Sequence, residues 1–503
     1  MAEPARLRRA PAAVASGVRT RLELGPLLFV TGTLLVILAG TMLVPMLADL
    51  AVGHPDWEVF LVSAALTAFI GAALVLANRG ARFEALTTRQ IFLLTTLVWT
   101  TLSAFSAIPL ALCGLELSLA DAVFEAVSGI TTTGSTVITG LDTAPPGILL
   151  WRALLQWLGG IGIIVTAVAI LPVLSVGGMQ LFRSESSDRS EKVLPRSAQI
   201  ASAIGWLYVS LTLACLLVYW SLGMSMFDAA AHAMTTVATG GYSTHDASIG
   251  YFASPEIEWA AVLFMAAGGI PFVLYLQVLR GRAGLLWRDV QVRWYLAVLV
   301  GASLLLAAWL VREHGTSPLE ALRSAAFTAT SIMTGTGYAS TDYGQWGTFP
   351  IILLFFLKCV GGCTGSTTGG IKIFRFVVLY QVARIQMGRL VQPSGVFRMT
   401  FNGRPIAEDT AISVMAFFFL FALSFTLVAG LLAALGLDYI TAMSASVTAL
   451  ANVGPGLGPI IGPAGHFGDL PEAAKWVLSL AMLLGRLELF TVLVLLTPLF
   501  WRS

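Results

Sequence analysis

Four short stretches rich in glycine and threonine are the residues of this sequence best suited to binding an ion. They read TTTGST at 131–136, TGGYST at 239–244, TGTGYAS at 334–340 and NVGPGLG at 452–458. Glycine permits backbone conformations that other residues avoid, so such stretches can expose successive carbonyl oxygens. Four of them around one axis could replace the hydration shell of a dehydrated potassium ion. A role in helix packing alone is the alternative, because glycine is common in transmembrane helices.

Each glycine-rich stretch follows a segment that is too short and too polar to cross a membrane, yet too apolar for an ordinary loop. These segments start near residues that favour a helix N-terminus, namely Asp121, Asp228, Ser317 and Asp438. Ser317 and Glu320 also fit a capping box. A half-helix that enters from outside and stops midway points the negative end of its dipole toward the ion path. The pattern predicts four units of span, half-helix, glycine loop and span around a cation pore.

The composition predicts that the elements positioning these loops are membrane helices. Of the 503 residues, 57 % are hydrophobic and 11 % are charged, against about 45–50 % and about 25 % in soluble proteins. A helix needs about 20 apolar residues to cross the hydrocarbon core, and ten candidate spans indicate an all-α polytopic membrane protein with four re-entrant half-helices. The spans are Leu24–Ala48, Val59–Asn78, Gln90–Leu115, Ala153–Phe182, Ser197–Phe227, Trp259–Leu279, Trp294–Val311, the region of Phe349–Tyr380, Thr410–Leu437 and the region of Trp476–Phe500.

The distribution of lysine and arginine predicts the orientation of these spans. With the N-terminus in the cytoplasm and ten alternating spans, 23 of the 29 basic residues fall on the cytoplasmic side. Both termini are therefore expected inside, and the basic start is not expected to be a cleaved signal peptide. The basic residues that fall elsewhere are Arg152, Arg312, Arg323, Lys358, Lys475 and Arg486.

Several other function classes find little support in the composition. A net charge of +2 lacks the electrostatic footprint of a nucleic-acid-binding protein. Four cysteines without a CxxC pair and five scattered histidines indicate neither a disulfide framework nor a zinc site. A carrier with inverted repeats would show broken helices in paired halves, whereas these four units run in the same sense. We expect no enzymatic activity and no cofactor.

A further glycine-rich stretch, GGCTGSTTGGIK at 361–372, interrupts the second long span of the third unit. Its glycines each cost a helix about 1 kcal/mol relative to alanine; they are Gly361, Gly362, Gly365, Gly369 and Gly370. Three interpretations are open: a kinked helix with close neighbours, a flexible intramembrane loop, or a phosphate-binding loop. The last does not match the GxxxxGK[ST] pattern, and its flanks are membrane spans.

These motifs, together with GRLEL at 485–489, carry a resemblance to a known family. The chain resembles the membrane subunit of the Trk/Ktr/HKT potassium-transporter superfamily, most closely the Trk-type (TrkH-like) bacterial subunit. The resemblance covers almost the whole chain after the first loop. It implies potassium uptake through a pseudo-fourfold pore within one chain. It also implies a homodimer in the lipid of the bacterial inner membrane, and a TrkA-type cytosolic nucleotide-binding regulatory subunit as partner.

The resemblance also assigns a selectivity filter that binds the potassium ion as substrate. The implied filter residues are Thr132, Thr133, Gly134, Thr239, Gly240, Gly241, Gly335, Thr336, Gly337, Asn452, Val453 and Gly454. In plant relatives, serine at the first glycine position accompanies sodium transport, and glycine at all four positions accompanies potassium transport. Here all four are glycine. Gly335 stands where many relatives carry threonine, which weakens a side-chain contribution from that loop but leaves its backbone oxygens.

The implied gate consists of the glycines of the 361–372 stretch with Lys372 and Arg486, below the filter. The family position makes Arg486 an electrostatic barrier; the alternatives are a structural ion pair with Glu488 or snorkelling to the interface. Lys372 has the alternative of a cytoplasmic anchor. Lys358 has no evident counterpart in the family and is expected only at an interface.

A sodium-selective or sodium- or proton-coupled symporter of the same fold is the alternative function. Proton coupling is considered because four titratable residues lie near the outer pore, although they could equally cap or solvate the half-helices: Asp121, Glu125, Asp228 and His232. The predicted organisation is an N-terminal helix pair at 1–89 and pore repeats at 90–196, 197–292, 293–404 and 405–503. The third repeat contains the gating loop.

Overall fold

The computed structural model describes residues 23–81, 86–166 and 193–502 as a helical bundle. Seven helices in this part are long and apolar enough to cross a membrane, and two bent helix pairs raise the number to nine. The chain is therefore a multi-span membrane protein. The arginines before Leu24, the part of the span Ala153–Phe182 beyond residue 166 and most of the basic segment Phe182–Ser197 lie outside the described residues.

The first two helices, Gly25–Val52 and Trp57–Ala77, form an antiparallel hairpin outside the four repeats. They cross closely, because a Cβ atom on Gly32 would lie 2.7 Å from the Gly71 carbonyl oxygen. The hairpin reaches the first repeat through the buried Asp49, whose Oδ1 accepts a 2.6 Å hydrogen bond from the Gly147 N–H. This carboxylate satisfies one of the free N–H groups at the start of the helix Pro146–Val165.

Four units of similar composition follow, each with an outer helix, a short pore helix, an extended loop and an inner helix. The outer helices are Thr88–Leu112, Val193–Ser221, Val290–His314 and Glu408–Ala434. The pore helices are Leu119–Ile130, Met226–Val237, Pro318–Met333 and Tyr439–Ala451. The inner helices are Pro146–Val165, Pro255–Gly268 with Phe272–Leu279, Thr348–Cys359 with Ile373–Val391, and Glu472–Arg486 with Leu489–Leu493.

The pore helices begin at serine or aspartate caps, but not always at the expected residue. Ser118 and Ser225 cap the first two, and their hydroxyls accept from the N–H groups of Asp121 and Asp228. Asp438 caps the fourth helix as expected. The predicted capping box at Ser317 is wrong, because its side chain makes no cap hydrogen bond. Proline follows at the first helical position, where its fixed φ already favours the helix start.

The inner helices differ most among the repeats. The second bends by 95° after Gly268 and the fourth bends by 110° after Arg486. The third is interrupted between Cys359 and Ile373, and a parallel bridge from Val360 to Ile371 closes the intervening segment into a loop. The interpretation of this stretch as a kinked helix is therefore wrong, because left-handed glycines and the bridge end the helix.

One helix boundary that was predicted from charge is also wrong. The first inner helix begins at Pro146 rather than at Ala153, and it contains the buried Arg152. A paired charge can lie inside an apolar helix, so a charge-free run underestimates its length. Arg375, predicted among the cytoplasmic basic residues, is buried within the inner helix of the third repeat.

The remaining elements are short. They are the helices Gly284–Arg288 and Pro498–Arg502, the 3₁₀ turns Leu141–Thr143, Ser248–Phe252, Tyr343–Gln345 and Val494–Leu496, and the strands Thr400–Phe401 and Arg404–Pro405. The two strands pair antiparallel as a small hairpin.

Candidate ion-conduction site

The loops that follow the pore helices share an unusual backbone conformation. Left-handed φ angles near +50° to +85° occur at alternate residues of the first three loops, at Thr132 and Gly134, Thr239 and Gly241, and Gly335 and Gly337. In the fourth loop Asn452 has φ of 52°. Alternation between left-handed and ordinary conformations turns successive N–H groups to one side of the chain. The carbonyl groups are then directed to the other side.

The N–H groups of the loops turn back to the ends of their own pore helices. In the first loop, the Thr132 and Thr133 N–H groups donate to the Gly129 and Ser128 carbonyls at 2.9 and 2.8 Å, and the second and fourth loops repeat the pattern. In the third loop the second donor is the Gly337 N–H, which reaches the Ser331 carbonyl at 3.0 Å. Among the described residues, no backbone N–H donates to the carbonyls of Thr132, Thr133, Thr239, Gly335 or Thr336. The loops therefore consume their donors locally and leave most of their acceptors available.

The four loops pack against one another in a closed ring, in chain order. A Cβ atom added to the last glycine of any loop would meet the backbone of the next loop, and the fourth loop meets the first. These distances are 2.1 Å from Gly134 to the Gly240 oxygen, 1.7 Å from Gly241 to the Thr336 oxygen, 2.9 Å from Gly337 to the Gly454 nitrogen and 3.1 Å from Gly454 to the Gly134 oxygen. No side chain fits at these four positions without displacing a neighbouring loop.

Two amide side chains hold these loops in place, and only Asn452 was among the predicted filter residues. The Asn452 amide of the fourth loop donates to the Thr133 hydroxyl of the first at 2.9 Å. Gln156, on the first inner helix, donates to the Gly240 carbonyl at 2.8 Å and accepts from the Tyr242 N–H at 2.9 Å. The Gly240 oxygen is thus held by a side chain. Gln156 could have been recognised from the sequence, because a single amide side chain within an apolar span is unusual.

A buried ion pair supports the first two loops from behind. The Arg152 Nε lies 2.8 Å from the Glu125 Oε1, and both side chains are almost fully buried. The other carboxylate oxygen accepts from the Val137 N–H, and the arginine also donates to the Ser243 carbonyl. The guanidinium stacks over the Tyr242 ring at 4.1 Å, a cation–π contact. Both charged groups therefore have structural partners. A carboxylate that took up and released protons during transport would be expected to lack such a partner.

The other titratable residues predicted near the outer pore also have partners. Asp121 pairs with Lys475 at 2.5 Å. Asp228 accepts hydrogen bonds from the Ser225 and Thr244 hydroxyls. His232 is buried, and its ring nitrogens contact the Asp228 carbonyl at 2.8 Å and the Ser243 hydroxyl at 2.9 Å. These residues cap or brace the pore helices, which was one of the two interpretations from the sequence.

The glycine-rich loop of the third inner helix lies against the ring, at the end where the pore helices stop. A Cβ on Gly369 would lie 2.4 Å from the Ala451 oxygen, and the Gly369 N–H group is near Gly335. The loop is also hydrogen-bonded to the bend of the second inner helix, because Cys363 N–H donates to the Gly269 carbonyl at 2.9 Å. The second and fourth repeats, together with the filter loop of its own repeat, thus hold this segment.

Thr367 is the residue of this loop with the most contacts to other repeats. Its hydroxyl donates to the carbonyls of Val237 and Gly268 at 3.1 Å, and it lies 3.1 Å from the Thr239 hydroxyl. Its own carbonyl accepts a 3.2 Å hydrogen bond from the Arg486 guanidinium. Sequence reasoning did not single it out, because threonine is frequent throughout the stretch.

The cations predicted at the gate lie beside this loop around a small cavity. The cavity is lined by loop residues together with Lys372, Asn452, Arg486 and Glu488. The Lys372 ammonium donates to the Thr368 carbonyl. Both cations are buried, so neither snorkels to an interface. The Nε and Nη2 atoms of Arg486 have no hydrogen-bond partner in the described part of the chain.

Glu488 does not pair with Arg486, contrary to the structural alternative considered for that arginine. Its carboxylate lies 2.6 Å from the Arg375 guanidinium, which also stacks over the Phe417 ring at 3.6 Å. The left-handed φ of 61° at Glu488 accompanies the bend in the fourth inner helix, which directs the two side chains differently. Arg375 was missed because it was assigned to a cytoplasmic segment.

Among the described residues, no group of three or more His, Cys, Asp or Glu side chains is placed to hold a metal ion. The oxygen ligands that the described site offers a cation are backbone carbonyls and threonine hydroxyls. Carbonyl and other neutral oxygens suit hard cations rather than soft transition metals.

The chain is similar to known proteins over nearly its whole length. The chain matches the TrkH family, described as cation transport protein, over residues 58–500. It is 48 % identical over 482 residues to the Trk system potassium uptake protein TrkI of Halomonas elongata, covering 95 % of this chain and 97 % of that protein. Identity to Trk system potassium uptake protein TrkH of Escherichia coli strain K12 is 39 % over 484 residues, covering 94 % and 98 %. The crystal structure of the potassium transporter TrkH from Vibrio parahaemolyticus matches with a TM-score of 0.88 at 38 % identity, covering 96 % of this chain and all of that one.

Proposed function

Because this chain belongs to the TrkH family of cation transport proteins, we propose that its ring of four loops is the filter through which it takes up potassium ions. Potassium uptake is the activity named for relatives that align with nearly the whole chain. The ion is the substrate and the chain is a transporter. The residues of the filter are those predicted from the sequence, from Thr132–Gly134 in the first loop to Asn452–Gly454 in the fourth.

The observation that carries this proposal is the closed ring of loops with left-handed residues at alternate positions. Because the N–H groups bond to the pore helices, the acceptors that remain for an ion are carbonyl oxygens. The C-terminal ends of four pore helices also meet at this ring, and each carries the negative end of a helix dipole. Such an arrangement favours a dehydrated monovalent cation over an anion.

In the membrane, we assign ten crossings to the chain, with the pore helices re-entrant from outside and both termini in the cytoplasm. The nine candidate spans and the interrupted third inner helix make ten when the two halves of that helix count as one. The bias of 23 basic residues out of 29 toward one side supports the orientation. Irregular backbone at membrane depth is tolerated where it is buried in protein or lines a wet cavity.

The Gly361–Lys372 loop is the proposed gate of this pore. It lies against the ring at the ends of the pore helices, where an ion leaving the filter would pass. Its contacts come from other repeats, through Thr367 and Cys363. A movement of the second or fourth inner helix would therefore move the loop. Lys372 and Arg486 add positive charge at the same place, and Arg486 acts there as an electrostatic barrier.

The remaining assignments concern the surroundings of the subunit. The names of the relatives place them in Trk systems of bacteria, and we assign this chain to the bacterial inner membrane. Exposed apolar side chains such as Phe69 and Leu213 suit contact with lipid. A homodimer and a TrkA-type cytosolic regulatory subunit complete the proposed assembly, with the basic segment around 384–404 on the cytoplasmic face as the docking side.

The test is ion flux through the purified protein in liposomes, with defined gradients of potassium, sodium and protons. The wild type should carry potassium in preference to sodium, and uptake should follow the potassium gradient and the membrane potential. The same gene should restore growth of a bacterium deficient in potassium uptake on limiting potassium, irrespective of sodium. Potassium uptake that requires a sodium or proton gradient would instead establish a coupled symporter.

Replacement of Gly134 by serine tests the filter itself. Its Cβ would lie 2.1 Å from the Gly240 oxygen, at a φ of +85°, so the first and second loops would move apart. Preference for potassium over sodium should fall while membrane insertion stays near normal. Unchanged discrimination in the flux assay would remove Gly134 from the filter.

A further inference from the structure

Each of the four inner helices carries one charged side chain that contacts the next repeat, and these contacts close a second ring around the loops. The four contacts, in chain order, are Arg152 to the Ser243 carbonyl at 3.0 Å, Glu258 to Arg323 at 3.2 Å, Lys358 to the Pro455 carbonyl at 2.5 Å and Lys475 to Asp121 at 2.5 Å. Each contact reaches the following repeat, and the fourth returns to the first. Mere packing of four similar units does not require charge at any of these positions.

The four contacts fall into two kinds, which alternate around the ring. Glu258 and Lys475 each lie in the first turn of an inner helix and pair with a side chain in the N-terminal half of the next pore helix. Arg152 and Lys358 lie deeper in their helices. They donate to backbone carbonyls that come one or two residues after a filter glycine. Only these two deep contacts touch the loops themselves.

The need for the deep contact at Lys358 is visible in the carbonyl that follows the last filter glycine of the first, third and fourth loops. In the first loop the Ser128 hydroxyl donates to the Ser135 carbonyl at 2.6 Å, and in the third Ser331 donates to the Tyr338 carbonyl at 2.7 Å. The equivalent residue of the fourth pore helix is Thr448. Its hydroxyl lies 3.3 Å from the Pro455 carbonyl, a longer and weaker hydrogen bond.

The Lys358 ammonium supplies what the fourth loop lacks. It is fully buried, and it donates to the Pro455 carbonyl at 2.5 Å and to the Thr448 hydroxyl at 3.2 Å. A charge-assisted hydrogen bond is shorter and stronger than a neutral one. Adjacent peptide groups share a Cα atom, so a fixed carbonyl at Pro455 restricts the orientation of the filter carbonyls that precede it.

We propose that Lys358 is a positioning residue of the fourth filter loop, and that Arg152 has the same role for the second. The inference rests on the proposed function, because it concerns the ion selectivity of that filter. The outer pairs of Glu258 and Lys475 hold the repeats together without setting the loop geometry. Burial of the Lys358 ammonium is energetically costly, and its charge repels a cation passing nearby. The hydrogen bond that it donates to the fourth filter loop gives a reason for a lysine at this position.

The experiment compares the potassium-to-sodium uptake ratio of purified variants in liposomes with their thermal stability. Lys358→Met keeps the length of the side chain and removes its donor. The ratio should fall about tenfold, which corresponds to about 1.4 kcal/mol. Lys358→Arg keeps a charged donor and should retain most of the selectivity. Lys475→Met removes an equally buried lysine from an outer pair, and it should lower the melting temperature while leaving the ratio unchanged.

A second variant keeps the proposal testable if Lys358→Met does not fold. Thr448→Val removes one acceptor of the ammonium but leaves the lysine in place, and it should lower the ratio in the same direction. An unchanged ratio in Lys358→Met, or in Thr448→Val when the first variant is unfolded, overturns the proposal. An equal loss of selectivity in Lys475→Met also overturns it. Failure of the wild type to carry potassium would refute the proposed function instead, before any variant is compared.

Discussion

The filter loops and the Gly361–Lys372 loop have similar compositions but are held in different ways. The backbone N–H groups of each filter loop bond to the last turn of its own pore helix. The Gly361–Lys372 loop makes hydrogen bonds within itself, but it also bonds to several distant elements, including the bend at Gly268 and Gly269, Gln291 and Arg486. The first arrangement is local in sequence, and the second depends on how the helices are placed.

This difference indicates which of the two segments can move. A loop whose hydrogen bonds are local keeps its conformation when neighbouring helices shift, because its partners move with it. A loop whose partners belong to other repeats changes when any one of those repeats shifts. Elements that move are drawn from the parts of a fold with low local stability. The same glycine and threonine content therefore suits the proposed filter, which keeps its shape, in one place and the proposed gate, which moves, in the other.

The largest effect on selective uptake is expected from a side chain added where two filter loops touch. Gly241→Ala would place a Cβ 1.7 Å from the Thr336 oxygen at a φ of +83°. Strain at such a φ and overpacking each cost about 1–3 kcal/mol. Their sum of about 2–6 kcal/mol predicts a loss of selective uptake of roughly thirtyfold or more. Uptake of potassium and sodium into liposomes measures it.

Gly436→Ala is the matched control for that variant. Gly436 also has a left-handed φ, of +93°, but a Cβ there meets no atom within 4 Å. It should carry only the backbone strain and lose some stability without losing selectivity. If both variants lose selectivity equally, the close approach between loops is not what the filter requires.

The next effect concerns the movable loop. Deletion of residues 364–368 removes Thr367 and its contacts to three other elements, while the bridge between Val360 and Ile371 remains possible. Flux in the absence of a regulatory subunit should rise about tenfold, as expected if a barrier of about 1.4 kcal/mol is lost. The initial rate of potassium uptake into liposomes that contain the purified protein measures this flux.

Thr367→Val is the milder form of the same test, because it keeps the length of the loop and removes only the hydroxyl. It should raise flux by less than the deletion does, at unchanged potassium-to-sodium ratio. Loss of flux from well-folded, dimeric deletion protein would mean that the loop is structural and is not a gate.

A smaller, few-fold rise in flux is expected from Arg486→Ala. A fixed positive charge beside the path repels a passing ion, by about 4 kcal/mol at 4 Å for an effective dielectric constant near 20 and by less as the separation grows. Arg486→Lys keeps the charge and should stay near wild type. The potassium-to-sodium ratio should not change, because the filter loops keep their own hydrogen bonds.

Arg375→Gln separates this barrier from a structural role of a nearby charge. It leaves Glu488 buried without its 2.6 Å partner, and such a loss costs about 3–5 kcal/mol. The yield of folded protein should fall, with flux per molecule unchanged. If Arg486→Ala behaves in the same way, that arginine stabilises the fold and is not a barrier.

The smallest effect is expected at the outer edge of the ring, from Asp142→Asn. A hydrogen bond from His245 at 2.6 Å lowers the pKa of Asp142. The pair therefore stabilises the fold fully above the ordinary value of 3.8, and this stabilisation is lost as the pH falls through the lowered pKa. The variant should lose less than about 1 kcal/mol at pH 7 and distinctly less near pH 2. Thermal melting at both pH values decides, with the exposed Asp469→Asn as control. A loss that persists at the lower pH would assign the effect to something other than this pair.

The four pore helices and the glycine loops after them were predictable from the sequence, because they follow local rules that are repeated four times. The glycine after each pore helix and the helix-start residues follow from neighbouring residues, and the fourfold recurrence removed the ambiguity of any single copy. The placement of Thr367, Gln156 and Arg375 was not predictable. Each acts through partners that are distant in sequence, and the partners differ among repeats. The bend that separates Arg486 from Glu488 likewise depends on packing, because an unbroken helix would have kept them on one element.

The hydrogen bond between Asp49 and Gly147 has a consequence for the order of synthesis. Asp49 leaves the ribosome 98 residues before Gly147, whose N–H group donates the hydrogen bond to its carboxylate. At about 5–20 residues per second, this interval lasts about 5–20 s. An unpaired carboxylate is costly in a bilayer, so during that time Asp49 needs water or the insertion machinery as its partner. The N-terminal helix hairpin is thus made before the first pore repeat that docks on it. The speed of translation sets the length of the interval during which Asp49 lacks its final partner.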